Sequence, residues 1–559
     1  KRTRRDGSGR ASLLHRVRCS PPWRRGACSC KSAERPGHRT PDQPMAEVVG
    51  SPKQRLSIAM AGNKELSLLA ALANRHGLVT GATGTGKSVT LQRMAEQFSS
   101  AGVPVFMPDV KGDLSGLGVP GTASDKLLAH LSQMGIETWQ PCANPVTLWD
   151  IFGREGHPIR ATISDMGPML LGRLLNLNNT QEGVLQLIFK VANDEGLLLL
   201  NLKDLRAVVQ HIGENHKQYT NEYGNVTSMS IGAIQRSLLT LEAGEGDKFF
   251  GEPMLDIAAL MQTAESGALK GRGVINILSA DKLINSPKLY STFLLWLLSR
   301  LYHRLPEAGD LDRPKLVFFF DEAHLLFSEG SPALLEMVEQ VVRLIRSKGV
   351  GVYFVTQSPA DVPDIVLGQL SNRVQHALRA FTPRDQRAVK VAADTMRANP
   401  HFDAEIAISQ LGVGEALVSF LDEEGHPNIV ERAFIIPPSS RIGPLNAQER
   451  RQIILHSAMY GRYEKTIDRQ SAYEVLNGIE APELRQTPHV RVAPHIDADG
   501  GISTGSESTL NHEAVSNEYV GDGEDGRGET KSQGVRLGTD SGLGRVIVRG
   551  ILRSIIGKR

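Results

Sequence analysis

Long apolar runs, cysteine and an excess of either charge are all scarce in this chain of 559 residues. No stretch approaches the roughly 18–20 consecutive apolar residues that a membrane-spanning helix needs. The most apolar windows, such as Phe293 to Leu298, are short and read as buried helix, so no integral membrane segment is expected. Four cysteines are too few for a disulfide scaffold: Cys142 stands alone, and Cys28 and Cys30 have neither a second pair nor a His cluster to complete a zinc site. That usage fits a reducing cytoplasm. The net charge of +2 hides an uneven split. Residues 1–44 carry 12 Lys/Arg against Asp6, Glu34 and Asp42, which is +9 and leaves −7 for residues 45–559. This leader also lacks the apolar core of a secretory signal. It reads as a non-native or disordered stretch translated ahead of Met45, with a basic nucleic-acid-binding arm as the alternative. The remainder has ample apolar content for a large core, 40% of the chain being hydrophobic.

The strongest pattern present is Gly81-Ala82-Thr83-Gly84-Thr85-Gly86-Lys87-Ser88, a complete G-x-x-x-x-G-K-S. His76 to Thr80 reads as a short buried strand entering it, and Ser88 to Ser99 has the apolar spacing of a helix. Glycines at those positions let backbone N–H groups face a β-phosphate, and the helix N-terminus adds its positive end. Lys87 would then reach the β/γ oxygens of ATP, and the Ser88 hydroxyl would ligate Mg²⁺.

Three further segments fit the same chemistry. Lys315 to Phe320 is an unbroken apolar strand ending in Asp321-Glu322. Asp321 would orient the Mg²⁺ shell through water, and Glu322 would polarise the attacking water as general base. His324 follows in D-E-A-H order and is read as a packing or relay residue with no metal role. Gly349 to Thr356 is a third apolar strand, and Gln357 at its end can touch both γ-phosphate and water. Val105 to Asp109 leads into Asp109-Val110-Lys111-Gly112-Asp113, expected beside the phosphate loop. Asp109 or Asp113 joins the water network there, or the segment is a plain Asp/Gly turn.

Together G-A-T-G-T-G-K-S, D-V-K-G-D-L, F-F-F-D-E-A-H and V-T-Q-S-P-A-D-V-P resemble the HerA/FtsK branch of the additional-strand P-loop ATPases. The nearer resemblance is to the bacterial HerA-like family typified by YjgR. It is carried by Asn74 to Gly77, Asn179 to Leu185, Phe249 to Pro253 and Tyr463 to Arg469 as well, and covers roughly residues 55 to 475. The resemblance implies a homo-oligomeric ring, a hexamer, with ATP between subunits and an arginine from the neighbour reaching the γ-phosphate. Arg346-Ser347-Lys348-Gly349 is similar to the segment that carries this arginine, so the finger role falls to Arg346, with Arg343 as substitute. Lys87, Ser88, Asp321, Glu322 and Gln357 map onto the family's nucleotide site. Two departures stand out: the 35 residues between Met45 and Gly81 leave no room for the β-barrel of archaeal HerA proteins, and the membrane helices and winged helix of FtsK proteins are not visible.

The expected fold is α/β: an additional-strand P-loop NTPase with a doubly wound, mostly parallel sheet and a helical insertion. The leader (1–44) precedes a first core segment (45–150), a mainly helical insertion (151–270) and a second core segment (271–480). Within these, Gly135 to Pro141 is expected as a strand bordering the core, with further strands at Gly273 to Ala280, Arg373 to Arg379, Glu415 to Leu421 and Ile429 to Ile435. Residues 481–543 are rich in Gly, Ser, Asp and Glu and read as a disordered linker. Residues 544–559 read as a short basic amphipathic helix, with Arg545, Arg549 and Arg553 on one spacing. Three functions fit: a ring-forming DNA translocase or helicase, a related motor acting on protein or in a membrane-associated machine, and a non-motor ATP-dependent switch. The first is preferred, with DNA as partner; DNA-stimulated turnover separates it from the others.

Overall fold

Strands buried on both faces need apolar side chains on both, and the runs Leu316–Phe320 (LVFFF) and Val350–Thr356 (VGVYFVT) are buried at every position. The computed structural model describes residues 54–224, 226–327 and 332–479. Among them the strands are β1 (Arg55–Ala61), β2 (Lys64–Leu69), β3 (Gly77–Thr80), β4 (Val105–Asp109), β5 (Val146–Asp150), β6 (His157–Pro158), β7 (Ile275–Ser279), β8 (Leu316–Phe320), β9 (Val350–Thr356), β10 (Asn372–Gln375), β11 (Glu415–Ser419) and β12 (Glu431–Ile435). They form one 12-stranded sheet in the order β2-β1-β12-β11-β10-β3-β9-β8-β4-β7-β5-β6. From β10 to β6 every pairing is parallel, and from β10 outward to β2 every pairing is antiparallel.

The pleat sends alternate side chains to opposite faces. On β8, Phe318 and Phe320 enter one apolar cluster while Val317 and Phe319 enter the other. Each such buried phenylalanine contributes about 1.5–3 kcal/mol. Helices cover both faces, so the sheet is doubly wound. Helix α1 (Lys87–Ser100) lies with the second cluster through Leu91, Met94 and Phe98, and α2 (Asp125–Gln133) follows β4. The other cluster holds α3 (Ile163–Leu174), α4 (Asn179–Asp194), α5 (Leu202–Glu214) and α7 (Ser228–Ala243), with α6 (His216–Tyr223) between the last two. It also holds α8 (Pro287–Arg304), α9 (His324–Phe327) and α10 (Pro332–Ile345). After β9 come α11 (Asp364–Leu367), α12 (Pro383–Asp394), α13 (Ala404–Gln410), α14 (Ala447–Leu455) and α15 (Ala472–Asn477). Side chains cap the helical region: Asn178 and Asn201 open α4 and α5 with reciprocal capping boxes.

The segments Phe249 to Pro253 and Tyr463 to Arg469 meet one another. Ile467 N donates to Glu252 O at 2.9 Å, and Arg469 forks onto the Glu252 carboxylate at 2.7 and 2.9 Å. Arg160 Nη1 donates to Tyr463 O at 2.8 Å, and Lys203 reaches both Asp468 and Glu474. The chain after β12 thus returns across the helical region.

Gly135 to Pro141 is not a strand, contrary to expectation. Gly135 takes φ 69° just after α2, and the residues beyond it make single bonds, such as Trp139 Nε1 to Pro438 O at 3.2 Å, and no repeating ladder. The strand in this stretch is β5, whose Leu148 and Trp149 are fully buried. The strand expected at Arg373 to Arg379 stops at Gln375, because the next residues turn to brace the phosphate loop. The basic leader, the linker and the terminal helix expected at 544–559 lie outside the described residues. Among the described residues no helix is long and apolar enough to cross a membrane.

Candidate functional site

Strand β3 runs straight into Gly81, and α1 begins at Lys87, so the loop between them is pinned at both ends. Gly81, Gly84 and Gly86 take φ values of 150°, 80° and 114°, conformations that a side chain disfavours. Gly81 is constrained by space as well: a Cβ there would lie 2.5 Å from the Cβ of His376. Thr83 and Gly84 form the exposed crest, Ala82 and Ser88 are half-buried, and Thr85 and Lys87 are buried. Lys87 Nζ donates to Gly81 O at 2.6 Å and Ala82 O at 3.1 Å, folding the ammonium over the loop. Burial and the charge of Lys111 lower its pKa, with Glu322 and Asp321 opposing.

The loop is braced from β10. Ala82 N donates to Ala377 O at 2.8 Å, His376 N to Thr80 O at 2.7 Å, and Gly414 N to Thr85 O at 3.1 Å. The His376 ring lies between the Thr90 hydroxyl (2.8 Å from Nε2) and Glu415 O (3.0 Å from Nδ1). A carbonyl can only accept, so Nδ1 carries the proton and Nε2 accepts from Thr90. Burial holds this ring neutral, its pKa lowered to about 4. Sequence reading missed His376, because nothing local marks a residue nearly 300 positions from the loop it supports.

The order β3-β9-β8 puts one strand between the phosphate-loop strand and the carboxylate strand. Thr80 pairs with Thr356, so Gly81 and Gln357 emerge side by side, and Ala323 N donates to Val355 O at 2.9 Å, which brings Glu322 out on the next strand. Two strand spacings, about 10 Å, therefore separate the loop from the carboxylates. Gln357 is exposed, and the turn after it is fixed by Thr356 Oγ1 and Ser358 N, both donating to Asp361 Oδ2.

Asp321 and Glu322 form a tight turn. Asp321 Oδ1 accepts from Glu322 N at 2.9 Å, and Asp321 O accepts from the Tyr290 hydroxyl at 2.6 Å. Burial, then the Glu322 charge, pushes the Asp321 carboxyl up to about 7; Lys111 and Lys87 pull the other way. Glu322 has φ 48°, unusual for a residue with a side chain, and its Oε2 is buried without a hydrogen-bond partner. His324 Nδ1 lies 3.3 Å from that oxygen, close enough for attraction but not aligned for a hydrogen bond.

Strand β4 lies between β8 and β7, so the Asp109–Asp113 turn stands beside the carboxylate strand and not beside the phosphate-loop strand as expected. The chain crosses over to β4 before β8 and β9 fill the gap. Asp109 Oδ2 accepts from Leu114 N at 3.0 Å, while Oδ1 is buried with no partner. Burial and Asp113 raise the Asp109 carboxyl to about 6. Lys111, on the same turn, is a cation near Lys87 and Asp321 that the sequence reading did not single out.

Arg346 is elsewhere. It precedes β9, whereas Gln357 follows it, and seven strand residues span about 20 Å. Arg346 and Arg343 are exposed. Partial burial and Arg75 disfavour the Arg346 charge, with Asp310 opposing. Within one chain the fold therefore brings together the loop, Asp321, Glu322 and Gln357, and leaves Arg346 at the opposite end.

The donor set suits Mg²⁺ arriving with a nucleotide. Among the described residues no cluster of three or more His, Cys, Asp or Glu forms a ready-made cage. Mg²⁺ instead keeps several waters and is held by one or two carboxylates plus substrate phosphates. Ser88 at the head of α1 and Asp321 at the end of β8 fit that pattern, and the unpartnered oxygens of Asp109 and Glu322 leave acceptors for ordered water.

A family model described as helicase HerA-like C-terminal matches residues 54–559. The DNA double-strand break repair helicase HerA of Sulfolobus acidocaldarius is 22% identical over 386 residues, covering 67% of this chain and 68% of that protein. Among solved structures, the plasmid coupling protein TrwB in complex with ADP and Mg²⁺ has a TM-score of 0.44 at 14% identity, covering 72% of this chain and 99% of that one. VirB4 of Thermoanaerobacter pseudethanolicus has a TM-score of 0.42 at 12% identity, covering 70% and 98%.

Proposed function

This chain belongs to the helicase HerA-like C-terminal family, and from that membership we propose that it is an ATP-hydrolysing motor that works as a ring, a hexamer, and translocates or unwinds DNA. The observation that carries the reading is the β3-β9-β8 order, with the phosphate loop, Gln357 and the Asp321–Glu322 pair at the same ends of adjacent strands. The loop from Gly81 to Ser88 binds the ATP phosphates through its N–H groups, and Lys87 turns from its own loop carbonyls to the β/γ oxygens. Ser88 and Asp321 would hold Mg²⁺, which when bound neutralises phosphate charge. Glu322 takes the proton of the attacking water, a role that its unpartnered Oε2 supports. Gln357 contacts the γ-phosphate and that water.

Arg346 completes the site from the neighbouring subunit. Its place at the far end of β9 supports action in trans, since it cannot reach its own loop. DNA as the track is supported by the relative's name, a DNA repair helicase. The charge of −7 on residues 45–559 requires that any DNA contact be made by a few local Lys/Arg and not by the net field.

The test is ATP turnover of residues 45–559 with and without single- and double-stranded DNA, with Glu322→Gln as the inactive control. Turnover is expected to rise severalfold with DNA and to lose that gain as salt increases. A chain that hydrolyses ATP but ignores DNA would refute the DNA track and favour the related motor acting on protein or in a membrane-associated machine.

A further inference from the structure

Tyr290 is fully buried on α8, yet its hydroxyl is spent on one contact at the heart of the site: it donates to the backbone carbonyl of Asp321 at 2.6 Å. That carbonyl belongs to the peptide entering Glu322, whose φ of 48° is a conformation that its own side chain disfavours. A backbone held there must be over-determined by its surroundings. Two bonds do this from either side of the peptide, Tyr290 Oη on Asp321 O and Glu322 N on Asp321 Oδ1. A second tie lies one turn further on. Arg173 of α3 donates through Nη2 to Ser291 Oγ at 3.1 Å, beside Tyr290, and to Leu325 O at 3.4 Å, three residues after Glu322.

We propose that Tyr290 is a positioning residue that holds the Asp321–Glu322 turn in its working shape, with Arg173 as a second anchor, so that the helices α3 and α8 set the rate of hydrolysis. The inference rests on the ATPase reading and deepens it. Neither side chain touches the reacting atoms; both act on the backbone that aims Glu322. Misplacing a general base by a fraction of an ångström slows the chemical step while phosphate binding at Gly81 to Ser88, two strands away, is untouched.

The experiment compares steady-state ATP turnover and nucleotide binding for the wild-type chain, Tyr290→Phe, Arg173→Lys and Tyr463→Phe. Tyr463 is a second buried tyrosine whose hydroxyl accepts from Asp256 N at 3.3 Å, far from the carboxylates, and its variant is expected to keep wild-type kcat. Tyr290→Phe is expected to lower kcat about tenfold with KM and nucleotide affinity within about twofold, since a small displacement of the base is costly. Arg173→Lys is expected to lower kcat by a smaller factor in the same way, and it keeps the test alive if the tyrosine variant fails to fold. Wild-type kcat in both variants would overturn the inference. So would an equal loss of kcat and nucleotide affinity, which would make Tyr290 a prop of the whole core. Absence of hydrolysis in the wild-type chain would overturn the ATPase reading itself, and the wild-type measurement alone distinguishes that case.

Discussion

At their C-terminal ends β3, β9 and β8 present groups left open to a ligand, whereas at their N-terminal ends the same strands are tied down by their own neighbours. The open end has the glycine loop, exposed Gln357, and Glu322 with a buried unpartnered oxygen and a disfavoured φ. At the tied end, His76 is buried between α10 and β9: Val352 N donates to its Nδ1 at 3.0 Å, and its Nε2 lies 2.8 Å from Val342 O. The carbonyl partner fixes the proton on Nε2. Tyr353 Oη donates to Ala73 O at 3.0 Å, and Asn372 Nδ2 to His76 O at 3.1 Å. One end stores unsatisfied polarity for chemistry; the other supplies the rigid seat that makes this tolerable. Arg346 breaks the pattern, an exposed cation at the tied end whose backbone carbonyl lies 3.5 Å from Asn74 Nδ2.

The largest effect should come from that exception. Arg346→Ala is expected to lower turnover roughly 10³-fold, as loss of an arginine finger does, with nucleotide affinity kept. Mixing Arg346→Ala chains with Glu322→Gln chains should then give more turnover than either alone, because a mixed ring contains some complete sites. No recovery on mixing would show that Arg346 does not act in trans and would leave the tied end purely structural.

Glu322→Gln, at the open end, is expected to cut turnover roughly 10²–10³-fold, the lower part of the range for loss of a general base, while ATP still binds. Lost ATP binding in this variant, read by nucleotide titration, would mean that the carboxylate shapes the loop and does not merely activate water.

The smallest catalytic effect belongs to His76→Ala, which should lower stability by about 2–3 kcal/mol by leaving Val352 N and Val342 O unpaired, with KM for ATP unchanged. Its pH signature comes from burial, which lowers the His76 pKa from 6.5 to about 4. Because the unfolded chain takes up the proton first, the stability is fully present above pH 6.5 and is lost as pH falls towards about 4. His376 titrates in the same direction and window. The unfolding temperature of the wild type should therefore fall as pH drops between those limits, and that of His76→Ala should fall less. Equal slopes would exclude His76 as a source of the acid sensitivity.

Much of the open end was legible because its signals are local. A glycine loop between a strand and a helix, or an apolar run closing on Asp-Glu, is set by a few consecutive residues. The mainly helical character of residues 151–270 was likewise readable, and within it α4 and α5 open on the asparagine caps Asn178 and Asn201. The hairpin β1–β2 was not identified, although Leu56, Ile58 and Met60 alternate ahead of Gly62-Asn63, a short turn of the kind that joins paired strands. The site members that went unread are the ones whose roles are non-local. Tyr290 meets Asp321 from 31 positions away, His76 meets Val342 across 266, and His376 meets Thr90 across 286. The turn at Asp109 was readable as a turn, but its neighbour was not, since strand order is decided by crossovers.

The sequence by itself determined the chemistry on offer: a loop that can cradle phosphates, a carboxylate pair at a strand end, an amide at another, and alternating faces for a buried sheet. These arise from short-range geometry and from the two periods of helix and strand. Only the tertiary structure decided which of these groups share an end of the sheet, which strand lies between them, and that Arg346 lies about 20 Å from its own chain's loop. The reason is physical: strand order and long-range hydrogen bonds come from packing two apolar clusters against one twisted sheet, a condition on the whole chain at once and on no segment of it alone.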